Sequence, residues 1–203
     1  MARKILIVGA GQSGLQLALG LQQHGYDVTV MSARTAGEIR GGRVMSTQAM
    51  FYRALQIERD LGLNFWEDEC PKYDWHIYSL RGPDGQMVLD YAGQFADYAQ
   101  SVDQRIKMSG WLEVFEERGG KVVIHGVTLS DLDELAHRYD LTIVAAGKGE
   151  LVNMFGRDPD RSPYAEPQRS LAVAYVHGME RRPEYPDIRA VTSTWWPASA
   201  SCT

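Results

Sequence analysis

The run Lys4 to Val8 leads directly into Gly9-Ala10-Gly11-Gln12-Ser13-Gly14, and a helical pattern begins immediately behind it. Few features constrain a chain more. An apolar run without alternation is a strand buried on both faces of a parallel sheet. A Gly-x-Gly-x-x-Gly placed between strand and helix has a physical task for each glycine: Gly9 permits the tight turn, Gly11 lets a pyrophosphate approach the backbone, and Gly14 lets helix and sheet pack closely. Leu15, Leu17, Ala18, Leu19 and Leu21 recur at helical spacing from Gln12 to His24, Gly25 offers a left-handed stop, and Asp27 to Met31 is a second β-branched strand. The expectation is a right-handed βαβ unit with adjacent parallel strands, the start of a dinucleotide-binding α/β fold.

The acidic companion that usually binds the adenosine ribose belongs at the end of the second strand, where the sequence instead reads Met31-Ser32-Ala33-Arg34. Ser32 offers a weaker hydroxyl contact there. Arg34 faces the adenosine part, a 2'-phosphate, or simply solvent, which keeps open a Rossmann oxidoreductase that uses NAD(P) directly. The following Gly37-Glu38-Ile39-Arg40-Gly41-Gly42-Arg43 brings glycine pairs and arginine together, as FAD-binding chains do where an extended cofactor crosses the backbone. A plain loop is the alternative.

Residues 32–45 lack periodicity and read as loop, whereas Thr47 to Leu63 reads as a helix with Ala54, Leu55 and Leu61 turned inward. From Phe65 to Tyr98 the composition is aromatic. Trp75 to Leu80, the turn Gly82-Pro83-Asp84-Gly85 and Met87 to Tyr91 predict a β-hairpin. Asp103 to Arg118 predicts a helix closed by Gly119-Gly120; the strand KVVIH, a helix capped by Ser130 and Asp133, and the buried strand LTIVAAG, ending at Gly147, return the chain to the parallel sheet. A further strand, SLAVAYVHG, precedes a Pro-rich stretch, and the tail from Trp195 shows neither periodicity nor caps.

Composition narrows the function classes. A net charge of -5 and only short basic clusters argue against nucleic acid. Cys70 and Cys202 stand far apart without ligand spacing, so neither a disulfide framework nor a metal site is expected, and a reducing, cytoplasmic compartment fits. Glycines interrupt the apolar N-terminus, and no apolar stretch is long enough to span a bilayer. No Ser/His/Asp or His-Glu-x-x-His signature points to hydrolysis.

Five stretches together resemble a known family: ILIVGAGQSGLQLALGLQQHGYDVTV; GGRVMSTQAM; the aromatic patch with Tyr73 and His76; VDQR with FEERGGKV; and YDLTIVAAGKGELVNMF with EPQRSLAVAYVHG. The chain resembles the FAD-dependent styrene and indole monooxygenases, the oxygenase component of two-component epoxidising systems. The resemblance implies a fold like that of p-hydroxybenzoate hydroxylase, α/β with a parallel sheet: a Rossmann-like FAD domain over residues 1–158, interrupted by an aromatic hairpin excursion at about 64–100, and the incomplete start of a substrate-binding domain over 159–203. It implies that Gly9, Gly11 and Gly14 hold the pyrophosphate, that Arg43 and Arg105 contact the flavin, and that Gly147 lies beside the adenosine end. Val44 to Gln48, with Tyr73 and His76, would approach the substrate and the isoalloxazine. Ser46 stands where the family's best-known members have asparagine.

The chemistry so implied uses reduced FAD from a separate NADH-dependent reductase, a flavin C4a-hydroperoxide, and transfer of one oxygen atom to an aromatic alkene or indole. His76 is then either a proton donor to that species or a packed aromatic, with Tyr73 as its neighbour. A homodimer is open. Family members are about twice as long as this chain, so a truncated chain is expected, either a working oxygenase or a non-catalytic flavin-binding fragment.

Overall fold

The computed structural model describes residues 2–45, 49–147, 149–166, 177–178, 180, 182–185 and 190–195. In chain order its elements are β1 (Lys4–Val8), α1 (Gln12–Gln23), β2 (Asp27–Ser32), α2 (Ala36–Arg40), α3 (Tyr52–Asp60), β3 (Lys72–Arg81), β4 (Met87–Gln100), α4 (Gln104–Glu117), β5 (Lys121–Ile124), α5 (Leu129–Arg138), β6 (Leu141–Val144), a short 3₁₀ turn (Glu150–Met154) and β7 (Ala190–Trp195). They fall into two compact units: Met1–Thr47 with Asp103–Ala174, and Gln48–Val102 with Tyr175–Thr203.

The first unit is built on a parallel sheet of order β5-β2-β1-β6. β1 and β2 are adjacent and in register from Lys4 opposite Asp27 to Val8 opposite Met31, as the βαβ pattern predicts. Alternation along β1 splits the core between two faces. Leu6 and Val8 join Met31, Leu132 of α5 and Leu151 in one buried cluster. On the opposite face α1 and α4 pack together and supply Leu15, Ala18, Leu19, Met108, Trp111, Leu112 and Phe115, all 3% exposed or less. Both sheet faces are thereby covered, which is why these strands read as continuous apolar runs.

Two local expectations are corrected in this unit. Within the stretch read as loop, Ala36–Arg40 is a helix, because the Thr35 hydroxyl accepts from the Glu38 amide while the Glu38 carboxylate accepts from the Thr35 amide at 2.8 Å. The cap of α5 is Thr128 with Asp131, not Ser130 with Asp133; its carboxylate accepts from the Thr128 amide at 2.7 Å. Both are reciprocal capping boxes, which satisfy amides that a helix start otherwise leaves orphaned. The predicted strand SLAVAYVHG lies almost wholly outside the described residues.

The second unit carries a sheet of order β4-β3-β7, with β4 antiparallel and β7 parallel to β3. The predicted hairpin is present, and its turn closes with Gly82 and Gln86 bonded at 2.9 Å. It runs beyond the predicted ends, to Lys72 and Gln100. The unit begins at Gln48, earlier than the aromatic stretch would suggest. Met50 exchanges two backbone bonds with Gln100, at 2.7 and 3.0 Å, and that ladder step holds the chain extended, so α3 starts at Tyr52 rather than Thr47. Residues 190–195 pair with β3 from Trp75 to Leu80, so Trp195, where the tail begins, ends a strand; the rest of the tail lies outside the described residues.

Two polar networks brace this unit. Arg182 grips both carboxylate oxygens of Asp90, at 3.1 and 3.0 Å, and also donates to Ser79 Oγ at 2.9 Å, while Tyr185 donates to Asp90 at 3.2 Å. Arg59 of α3 donates to Glu67 through Nε and Nη2 at 2.8 and 2.5 Å, and Asn64 and Tyr98 also donate to that carboxylate. Charge-assisted bonds of this kind are the strong ones. They hold the Glu67 carboxyl down at about 2, with the Arg59 bond the largest cause. Among the described residues no helix is long and apolar enough to cross a membrane.

A carboxyl held below its unfolded value stabilises the fold above that value and loses its contribution as the pH falls through the folded one. The Glu67 contribution is therefore complete above pH ~4.5 and disappears as the pH falls toward about 2. Glu67→Gln is expected to lower unfolding free energy by about 1–3 kcal/mol at neutral pH, the range for a lost charged hydrogen-bond partner. Denaturant titrations should find the variant losing less stability than the wild type between those pH values. Equal pH sensitivity in the two proteins would contradict the assignment.

Candidate functional site

In the first unit the chain moves outward from β1 through β2 to β5 and then crosses to β6 on the other side, so the strand order reverses between β1 and β6. Ligands of open α/β sheets bind beyond the carboxyl ends of the strands at such a switch point. A cavity of about 210 Å³ lies there, walled by Val8, Met31, Val127 and Leu151. Gly9 and Gly149 add backbone, and His125 and Glu150 are its titratable lining residues. Drug-sized ligands fill roughly 300–1,000 Å³, so this space suits one ring system of a larger ligand rather than the whole.

The glycines beside the cavity divide their tasks as the motif predicts. Gly9 has φ 120°, and a Cβ there would meet the Ala145 carbonyl oxygen at 2.8 Å. A Cβ on Gly14 would sit 2.1 Å from the Gly9 carbonyl oxygen, inside any permitted contact. Gly11 differs. Its φ of -86° suits any residue, and nothing lies within 4 Å of where its Cβ would be. The absent side chain leaves open space at the first turn of α1, where amide groups and the helix dipole favour an anion. Gln104, 7% exposed at the start of α4, donates to Gln12 at 3.2 Å and ties the two helix starts together. Gly147, just past β6, also faces open space.

The remaining predicted contacts are distributed unevenly. Ser32 is 4% exposed, its hydroxyl donating to the Arg34 carbonyl at 2.6 Å and accepting from the Arg34 amide at 3.2 Å. It closes its own turn, so its hydroxyl proton is already committed. Arg34 and Arg43 are exposed. Arg105 is held by the Asp103 carboxylate, with Nη2 at 2.6 Å, and its Nη1 lies 3.5 Å from the Gly42 carbonyl. The arginine thus braces the glycine pair that precedes Arg43. Arg40 reaches from α2 to Glu113 of α4 at 2.5 Å, fixing the same segment from its other side.

In the second unit Tyr73 and His76 do come together, around Phe95. Ring centroids of Tyr73 and His76 lie 6.4 and 6.2 Å from that of Phe95, and His76 stacks on Tyr78 at 3.9 Å and 9°. Phe51 packs edge-on to the other side of Phe95 at 5.3 Å. Pairing jumps from Tyr73–Ala99 to Trp75–Gln94, so 95–98 bulge out of β4 and Phe95 reaches both residues. Burial pushes the His76 imidazole below its ordinary value and the Tyr73 phenol above its own, so both are neutral at neutral pH. Ser46 lies outside the described residues.

Sequence reasoning missed Gln12, His125 and Glu150. Gln12 was visible as the first residue after the glycine turn. His125 and Glu150 carry no spacing signal, because loops that are distant in sequence bring them to one cavity.

Comparison with known proteins bears on this geometry. Residues 147–197 match the family model described as "Styrene monooxygenase A putative substrate binding domain". The chain is 36% identical over 199 residues to styrene monooxygenase StyA from Pseudomonas sp, covering 97% of this chain and 46% of that protein. It is also 36% identical over 197 residues to the StyA of Pseudomonas fluorescens. The chain thus spans about half the length of the curated relatives it matches. Among solved structures, the flavin-dependent halogenase CmlS superposes with a TM-score of 0.50 at 22% identity, over 66% of this chain and 25% of that one, a likeness of fold.

Gly14→Ala should destabilise the protein by about 1–3 kcal/mol or more through overpacking, whereas Gly11→Ala should remain within about 1 kcal/mol of wild type. Thermal unfolding of the two variants distinguishes a packing glycine from a clearance glycine. By NMR titration, His76 should lose its proton with a midpoint below 6.5. A midpoint at or above that value would mean the ring is not desolvated by its aromatic neighbours.

Proposed function

We propose, from the premise that this chain is related in sequence to the styrene monooxygenases along 97% of its length, that it binds FAD and forms the flavin-holding part of a monooxygenase acting on an aromatic alkene or indole. The observation that carries the reading is the clearance at Gly11 beside a helix start, flanked by two glycines that close packing requires. That cradle fits a dinucleotide pyrophosphate, and the cavity at the switch point fits the base at its adenosine end.

In this reading Gly9 and Gly14 set the turn, and Gly11 with the first amides of α1 receives the pyrophosphate. Gly147 borders the adenosine half, while Arg43, on a segment braced by Arg105, faces the flavin. Bound and reduced, FAD supplies activation of dioxygen, one atom of which goes to the substrate double bond and the other to water. The protein's contribution is alignment and exclusion of water, for which acid–base dyads are unnecessary. Tyr73, His76 and Phe95 supply a neutral aromatic wall suited to an apolar ring, and the family resemblance assigns Ser46 a substrate-side role. The two electrons come from NADH through a separate flavin reductase, and the assignment places the chain in the cytoplasm, where that cofactor is available.

The test is a fluorescence titration of the purified chain with FAD, followed by turnover of styrene or indole with a flavin reductase supplying reduced cofactor. Saturable binding, weakened about tenfold or more by Gly11→Val, is expected, since 1.4 kcal/mol of lost approach already gives that factor. Epoxide or indigo formation would extend the reading from binding to catalysis. Absence of saturable FAD binding by a folded wild-type chain would overturn it.

A further inference from the structure

We propose that His125 is the residue through which this chain recognises the adenosine half of its dinucleotide, in place of the acidic side chain that such folds carry at the end of the second strand. The inference rests on the dinucleotide reading above and deepens it at one end of the site. No acid is available at that strand end, where Ser32 is buried and its hydroxyl is engaged with Arg34. The Ser32 carbonyl instead accepts the His125 amide at 2.8 Å, extending the β2–β5 ladder by one step. Ile124 is the register partner of Ser32, so this bond sets His125 one step beyond the place where the missing acid would stand. From there His125 lines the cavity beyond the strand ends.

The ring is oriented. Its Nε2 lies 3.1 Å from Asp131 Oδ2, the same oxygen that accepts from the Thr128 amide and hydroxyl at 2.7 and 2.8 Å. Those Thr128 bonds, with the His125 bond after them, hold the Asp131 carboxyl below its usual range, so the ionised carboxylate is the acceptor and Nε2–H the donor across the 3.1 Å contact. With Nε2 so engaged, Nδ1 is the ring nitrogen that can meet a ligand, and an adenosine presents polar groups within its reach, its exocyclic amine and its ribose hydroxyls. The carboxylate that caps α5 thus also orients the ring of a cavity residue, a coupling of helix start to ligand site. The side chain is half exposed, so it can meet a ligand without rearrangement of the core.

The experiment compares wild type and His125→Ala by calorimetric titration with ADP, FAD and FMN, and follows the His125 ring nitrogens by NMR as ADP is added. Thermal unfolding of both proteins confirms an intact fold. The expected result is that ADP and FAD bind the variant roughly three- to tenfold more weakly, the loss of one hydrogen bond, while FMN, which has no adenosine, binds both proteins alike. Wild-type ring signals should shift on ADP addition. Equal ADP affinity in the two proteins, or ring signals that ignore ADP, would overturn the proposal even if FAD binds tightly. Binding of ADP without FAD would preserve the role of His125 and defeat the flavin reading; a wild-type chain that binds neither would defeat both.

Discussion

The first unit depends on the contact between Gly14 and the Gly9 carbonyl. A methyl group there would lie 2.1 Å from that oxygen, so α1 can leave the sheet at its observed angle only because nothing projects from Gly14. That angle aims the first amides of α1 past the end of β1 and keeps Gly11 facing open space. It also lets Ala145, beyond β6, close on Gly9 from the other side. The crevice at the switch point, the clearance for an anion and the seating of β6 are consequences of one backbone-to-backbone approach.

Around this crevice most strongly polar side chains are engaged with the protein itself. Arg105 is matched to Asp103, Arg40 to Glu113 and Ser32 to the Arg34 backbone. Such bonds give the glycine-rich segment 36–43 a fixed course, as a short helix held from both ends. The exposed Arg40–Glu113 pair contributes little to stability. The importance of these bonds is geometric, because they set the course of the segment that ends at the exposed Arg43. His125 follows the same logic at the opposite end of the site, with Asp131 serving helix cap and ring orientation together.

The second unit solves a different problem. A long hairpin with an aromatic face would place its rings on alternate sides, yet Tyr73 and His76 are three residues apart in sequence and share Phe95. The bulge at 95–98 makes this sharing geometrically allowed by breaking the register between Tyr73 and Trp75. The Arg59–Glu67 and Arg182–Asp90 pairs then fix what surrounds the two strands, each with additional neutral donors to the carboxylate. An aromatic cluster gains a definite shape from such scaffolding, which hydrophobic burial alone, being non-directional, would not give.

The βαβ start, the parallel sheet, the turn and packing roles of Gly9 and Gly14 and the hairpin were legible in the sequence, because each rests on a local rule: periodicity, backbone permissiveness or turn chemistry. The Thr35–Glu38 capping box was equally local and was hidden only by the glycines around it. Where α3 begins was not legible, since the Met50–Gln100 ladder step that delays it joins residues far apart in sequence. The same holds for β7, a strand of modest pattern whose existence depends on the edge that β3 offers it. It holds again for the cavity, where Val8, Met31, His125 and Glu150 arrive from separate strand ends. Sequence fixes what the backbone can do next to itself; which distant side chains share a space is decided by strand order, and that is a property of the assembled sheet.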